Sequence, residues 1–220
     1  MLIAGVDDAG RGSILGPLVI AGILVKEEDL QKLINLGVKD SKLLTPKRRR
    51  KLAEEIKKIA VKCYVLKLSP SEIDKVVNSG RKLHRLNRLE AKAMAKVIEE
   101  LKPDMVYVDA SDVVPERFKQ HIQECLPFKV KIISEHKADQ KYPIVSAASV
   151  IAKVERDKAI EEIKREYGEV GCGYPTDPKT IKFLEECLKK FGEYPHFVRK
   201  SWKPAKRLKS DAKFKQKKLA

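Results

Sequence analysis

The octapeptide GVDDAGRG, residues 5–12, sets two adjacent carboxylates, Asp7 and Asp8, directly before a turn of small residues, Ala9-Gly10-Arg11-Gly12. Upstream of it, LIAG and then Val6 read as a short apolar strand. Downstream, GPLVIAGILV, from Gly16 to Val25, reads as its hairpin partner. Acids at a strand end are therefore the feature that needs a reason.

Outward from that hairpin, strand and helix patterns alternate. PKRRRKLAEEIKKIA from Pro46 has proline at a helix start, Thr45 as a cap, and apolar positions at Leu52, Ile56 and Ile59. CYVLKL at 63–68 reads as a strand, SPSEIDKVV begins a short helix, and NRLEAKAMAKVIEEL from Asn87 is a longer amphipathic one. MVYVDA at 105–110 is a buried strand ending in Asp109, PERFKQHIQECL is a helix, and KVKIISE at 129–135 alternates like a further strand. From Tyr142 the strands stop. VSAASVIAKVERDKAIEEIKREYG, DPKTIKFLEECLKKFG and the stretch from Phe197 to Trp202 all read as helix, and the lysine-rich run after Trp202 reads as a flexible tail. The expectation is an α/β fold with five strands. Residues 1–141 would form its sheet-bearing domain, 142–203 a helical subdomain and 204–220 a basic tail.

Composition narrows the function. The 220 residues, 43% hydrophobic and 35% charged, suffice for one sizeable core with an appendage. The chain has no long apolar run and no basic leader, so the expectation is a cytoplasmic protein with no membrane partner. Cys63, Cys125, Cys172 and Cys187 lie far apart without a C-x-x-C pair, which argues against a zinc site or a disulfide framework. A formal charge of +16 favours a polyanionic partner, nucleic acid ahead of a membrane surface; the plain alternative is a solvated Lys-rich surface.

Asp7, Asp8 and Asp109 end strands, and Asp139 follows the strand and turn ISEHKAD, so all four are candidates to converge at one sheet edge. Gathered carboxylates raise one another's pKa, whereas Mg²⁺ is held by a few carboxylates, waters and substrate phosphates. On spacing alone, aspartates acting as turn formers and helix caps are the commoner reading of such positions.

GVDDAGRG, VKDSKLLTPKRR, YVDASD, EHKADQKYPIVSAASVIAKVERD and GCGYPTDPKT stand in the order and spacing of ribonuclease HII, the type 2 ribonuclease H family, and the chain resembles its archaeal members over nearly its whole length. The resemblance implies a ribonuclease H-like fold, a mixed five-stranded sheet flanked by helices with a C-terminal helical subdomain. It also implies metal-dependent cleavage of RNA in RNA/DNA hybrids and at single ribonucleotides in duplex DNA, with roles in ribonucleotide excision repair and DNA replication. The family's acidic tetrad falls on Asp7, Asp8, Asp109 and Asp139 as catalytic and metal-binding residues, for two Mg²⁺ or Mn²⁺ ions about 4 Å apart.

Members usually have glutamate where this chain has Asp8, and proline where it has Ser13. Substrate-binding candidates are Gly10, Arg11 and Gly12, whose turn can press backbone groups against a ribose 2′-OH, and Tyr174, which resembles a tyrosine that stacks on the following deoxyribose. Lys42 and Lys141 are candidate phosphate ligands. His136 is left outside the catalytic set. The tail QKKLA begins like the Q-x-x-L part of a sliding-clamp-binding peptide and lacks the aromatic pair that would complete it, and the expected state is a monomer. Two alternatives stand beside this reading. One is a non-catalytic, Mg²⁺-dependent nucleic-acid-binding module. The other is a ribonuclease HIII-type nuclease, a family that normally carries an extra N-terminal domain, whereas this chain enters its first strand at Leu2.

Overall fold

The computed structural model describes residues 1–38, 45–79 and 85–217. Lys42 lies outside them. In chain order the elements are β1 (Leu2–Ala9), β2 (Leu18–Lys26), α1 (Leu30–Asn35), α2 (Pro46–Ile59), β3 (Lys62–Leu68), α3 (Pro70–Asn78), α4 (Arg85–Leu101), β4 (Met105–Asp109), α5 (Pro115–Cys125), β5 (Lys131–Glu135), α6 (Ala138–Lys141), α7 (Pro143–Tyr167), α8 (Pro178–Phe191) and α9 (Lys203–Lys217). The five strands form one sheet in the order β3-β2-β1-β4-β5. It is mixed: β1 runs antiparallel to β2 and parallel to β4, and β4 runs parallel to β5. The expected α/β class and flanking helices are therefore present.

Local signals explain where helices begin. Thr45 accepts a hydrogen bond from Arg48 N with proline at the first turn of α2, and Ser69 and Glu72 form a reciprocal capping box at α3. Strand alternation then decides what each sheet face meets. Odd-numbered residues of β1 and β2, Ile3, Val19, Ala21, Ile23 and Val25, share a core with Ile144, Val145, Ala148 and Ile151 of α7 and with Ala53 and Ile56 of α2. Gly5 makes this approach possible, because a Cβ there would lie 2.4 Å from the Ile144 carbonyl oxygen. On the other face a Cβ on Gly22 would strike Val97 and Leu101 of α4.

The chain separates into two compact units. The first comprises Met1–Ala9, Val19–Lys67 and Lys82–Glu155; the second comprises Gly10–Leu18, Leu68–Arg81 and Arg156–Ala220. Both are discontinuous, unlike the sequential division at 141 and 203 expected from strand content. The second unit gathers Ile14, Leu15, Ile160, Phe183, Leu184, Phe197 and Val198 into its own core.

Two local expectations are corrected. Phe197–Trp202 is not helical: Val198 bridges antiparallel to Leu15, Gly16 N donates to Phe197 O at 2.9 Å, and Arg199 N donates to Ile14 O at 2.9 Å. Those backbone groups are spent on the segment from Ile14 to Gly16, so none closes a helical turn. The basic run after Trp202 is not a free tail as far as Lys217, but forms α9. Ala205 is buried, Leu208 and Ala212 pack on the second core, and Tyr194 donates its hydroxyl to Ala205 O at 2.9 Å. An apolar stripe too sparse to read in so charged a sequence is enough once a core is waiting for it.

Candidate active site

The parallel register that pairs Val6 with Val108 brings the next residue on each strand, Asp7 and Asp109, to neighbouring strand ends. Period-2 alternation sends Asp7 to the face covered by α7 and Asp8 to the opposite one. Each is met by a hydroxyl: Ser149 of α7 donates to Asp7, and Ser111, two residues beyond β4, donates to Asp8 Oδ2 at 3.2 Å. Asp7 Oδ1 also accepts from Asp8 N at 2.7 Å. Ala138 N, at the start of α6, donates to Asp109 Oδ1 at 2.7 Å. Asp139 is the next residue on that helix, so the same bond ties its backbone to the end of β4.

Asp7 is only 5% exposed. Burial pushes its carboxyl well above the usual carboxylate range; the charges of Asp8 and Asp109 raise it further, and the bonds from Ser149 and Asp8 N act the other way. Such crowding disfavours three simultaneous negative charges and suits a hard divalent cation with oxygen ligands. Among the described residues, no three His, Cys, Asp or Glu side chains already close on one point as a metal cage.

The second unit holds the turn and the tyrosine loop. Gly10 adopts φ +84°, a left-handed conformation that favours glycine, and Ser13 N closes the turn on Gly10 O at 3.2 Å. The fully buried Arg199 donates to Arg11 O at 2.9 Å and to Gly16 O at 3.2 Å. In the loop, Gly171 and Gly173 have positive φ, Thr180 Oγ1 accepts from Gly173 N, and the N-cap Asp177 accepts from Cys172 N. Tyr174 is half-buried, and a Cβ added to the exposed Gly12 would lie 3.9 Å from its Cε1. Gly12 and Tyr174, both substrate-binding candidates, are therefore neighbours.

Lys141 is ion-paired with Glu135, which also accepts from the Tyr142 hydroxyl. His136 lies with its Nε2 3.1 Å from Val113 O. Sequence reasoning passed over several supports. Asp112 is buried and accepts from Asn87 Nδ2 at 3.0 Å, Val114 N at 3.0 Å and the Arg117 guanidinium, so it anchors the loop that carries Ser111. Lys153 Nζ donates to Ser149 Oγ at 2.8 Å, one helical turn away, which leaves the hydroxyl hydrogen to point at Asp7. The second aspartate of YVDASD was the available signal for the first of these.

Comparison with known proteins finds a matching family model and relatives over nearly the whole chain. The family model described as Ribonuclease HII matches residues 4–205. Ribonuclease HII of Thermococcus onnurineus is 50% identical over 210 residues, covering 94% of this chain and 90% of that protein. The crystal structure of ribonuclease H2 from Pyrococcus horikoshii is 45% identical with a TM-score of 0.89, covering 97% of this chain and 99% of that one. The ribonuclease HII of Archaeoglobus fulgidus, solved as a PCNA complex, is 43% identical with a TM-score of 0.84, covering 92% and 96%.

Asp112 gives the site a stability signature in pH. Arg117, by its hydrogen bonds, holds the Asp112 carboxyl well below the usual carboxylate range despite burial. A depressed folded pKa contributes stability above the unfolded value of about 3.9, and that contribution is lost as pH falls below it. Asp112→Asn is thus expected to lower the melting temperature at pH 7 and to show a shallower acid-side decline. Its deficit should shrink below about pH 3, as thermal unfolding across pH will measure. A deficit constant with pH would contradict the assignment.

Proposed function

We propose, from the premise that this chain belongs to the ribonuclease HII family and is a metal-dependent endoribonuclease, that its strand-end acids hydrolyse the RNA strand of RNA/DNA hybrids and cut 5′ of ribonucleotides embedded in duplex DNA. The observation that carries the reading is the buried Asp7 carboxyl, pushed up first by burial and then by the charges of Asp8 and Asp109. Family membership also favours this enzyme over a ribonuclease HIII-type nuclease or a non-catalytic binding module.

Asp7, Asp8, Asp109 and Asp139 would hold two Mg²⁺ or Mn²⁺ ions. Bound there, the ions supply a water activated at neutral pH and neutralise charge on the scissile phosphate. The chain's own part is orientation. Ser149 and Asp8 N fix the Asp7 carboxylate, Ser111 steadies the shorter aspartate at position 8, and Ala138 N fixes Asp109. Water rather than the ribose 2′-OH attacks, so the products carry 5′-phosphate and 3′-hydroxyl ends.

Ribose recognition is assigned to the Gly10-Arg11-Gly12 turn. Gly12 has no positive φ and only ordinary contact awaits a Cβ there, so the fold itself tolerates a side chain. A bare backbone at an exposed position is what a close approach to a 2′-OH requires. Tyr174 beside it stacks on the neighbouring deoxyribose. Sliding-clamp contact through the C-terminal tail is a further reading, supported by the PCNA complex of the Archaeoglobus fulgidus relative and by Gln216 in QKKLA. Leu219 lies outside the described residues.

The direct test is digestion of a labelled duplex containing one ribonucleotide. Cleavage is expected with Mg²⁺ or Mn²⁺ and not with EDTA, and Asp7→Asn should abolish turnover while duplex binding stays within a few-fold of the parent. Turnover by the variant at the parental rate would overturn the reading.

Asp8 allows a second test, because aspartate reaches one methylene less far than the family's usual glutamate. Asp8→Glu is expected to raise the Mg²⁺-supported rate and to gain less with Mn²⁺, whose ligand geometry is less demanding. A rate unchanged or lower with both metals would show that the backbone already compensates.

A further inference from the structure

Arg156 is 7% exposed and lies on α7, where the second unit resumes. Its contacts reach Gly10 and Ser13 on one side and Cys172 and Tyr174 on the other. The stem packs under the turn: Arg156 Cγ lies 3.2 Å from where a Cβ on Gly10 would stand. Nη2 donates to Ser13 Oγ at 3.0 Å and to the Cys172 carbonyl. The guanidinium carbon lies 4.7 Å from the centroid of the Tyr174 ring. Ser13 Oγ is within 2.7 Å of Leu15 O and 2.8 Å of Gly173 O, so its single hydrogen serves these carbonyls while its lone pair takes the bond from Arg156. Gly173 is closed in by the same pair, because a Cβ there would stand 2.9 Å from Nη2 and 3.2 Å from Ser13 Oγ.

We propose that Arg156 is a positioning residue: by stacking on Tyr174 while hydrogen-bonding both Ser13 and the Cys172 carbonyl, it sets the ring against the Gly10-Arg11-Gly12 turn and thereby fixes the preference for RNA–DNA junctions. The inference rests on the reading of Tyr174 as a deoxyribose-stacking residue. A guanidinium suits the task, because Nη2 donates to two acceptors while the cationic carbon lies over the ring. Lysine keeps the charge but has neither the plane nor the fork. A tyrosine in a glycine-rich loop would otherwise have rotamer freedom to lose each time a sugar stacks on it.

The test measures kcat/KM on a duplex with one embedded ribonucleotide and on a continuous hybrid, for the parent, Arg156→Lys, Ser13→Ala, Tyr174→Ala and Arg156→Lys with Tyr174→Ala, with melting temperatures alongside. Tyr174→Ala should lower the junction-to-hybrid ratio about ten-fold. Arg156→Lys should lower it about five-fold. The double variant should be no lower than Tyr174→Ala alone, since a brace has no effect once the ring it holds is gone. Ser13→Ala should move the ratio the same way by less, and it decides the matter if Arg156→Lys does not fold.

If Tyr174→Ala lowers the ratio while Arg156→Lys and Ser13→Ala leave it at the parental value, the positioning role is overturned and the stacking reading stands. Equal losses on both substrates, or full additivity in the double variant, would make Arg156 a structural residue only. An unchanged ratio in Tyr174→Ala would overturn the stacking reading and this inference together.

Discussion

A carboxylate buried beside two others is an unstable thing to build, and the first unit is arranged around one. Asp7 lies near the end of a central strand, out of water, and that burial, then the charges of Asp8 and Asp109, raise its pKa. The parts needed to hold it follow in sequence. Gly5, two residues earlier on the same strand face, has no side chain and so lets α7 lie directly on β1. That approach delivers Ser149, itself bonded by Lys153, to the carboxylate. The parallel pairing of β1 with β4 supplies Asp109, and α6 supplies the N–H that fixes it. A carboxyl with a raised folded pKa destabilises the fold at neutral pH, so this arrangement makes physical sense as a site kept ready for a cation.

The second unit meets a different demand, the precise holding of exposed backbone. Its means are two buried arginines. Arg199 fixes the outer side of the Gly10-Arg11-Gly12 turn through Arg11 O and Gly16 O, and Arg156 joins Gly10, Ser13 and the loop of Tyr174. Glycines in that loop take left-handed angles that a side chain would resist, and at the start of α8 Thr180 accepts from the amide of Gly173 and Asp177 from that of Cys172. Ser13 closes the turn after the glycines. Its hydroxyl gives the turn a hydrogen-bonded brace, through Leu15 O, Gly173 O and Arg156 Nη2.

Much of this was legible in the amino-acid order. The strands, α2 to α5, α7 and α8 follow from periodicity and caps, because each is decided by residues within one or two turns of it. The acids were visible as strand-end residues, although only the resemblance joined them, since pairing of β1 with β4 is set by contacts a hundred residues apart. Asp112 and Arg156 were passed over for the same reason: their importance lies in partners on other elements, Asn87 and Arg117 for one, Ser13 and Tyr174 for the other. The segment from Phe197 to Trp202 and helix α9 went against expectation because tertiary partners, Leu15 and the second core, outweigh local propensity.

The central claim is that the Asp7 cluster is strained until a divalent cation joins it, and calorimetric unfolding of the parent and Asp7→Asn, each with EDTA and with saturating Mn²⁺, tests it most directly. The account predicts that Asp7→Asn melts higher than the parent without metal, because a repelled and buried carboxyl has been made neutral. It also predicts that Mn²⁺ raises the parent's melting temperature while leaving the variant's nearly unchanged. A metal-free variant less stable than the parent, together with an equal response of both proteins to Mn²⁺, would contradict it.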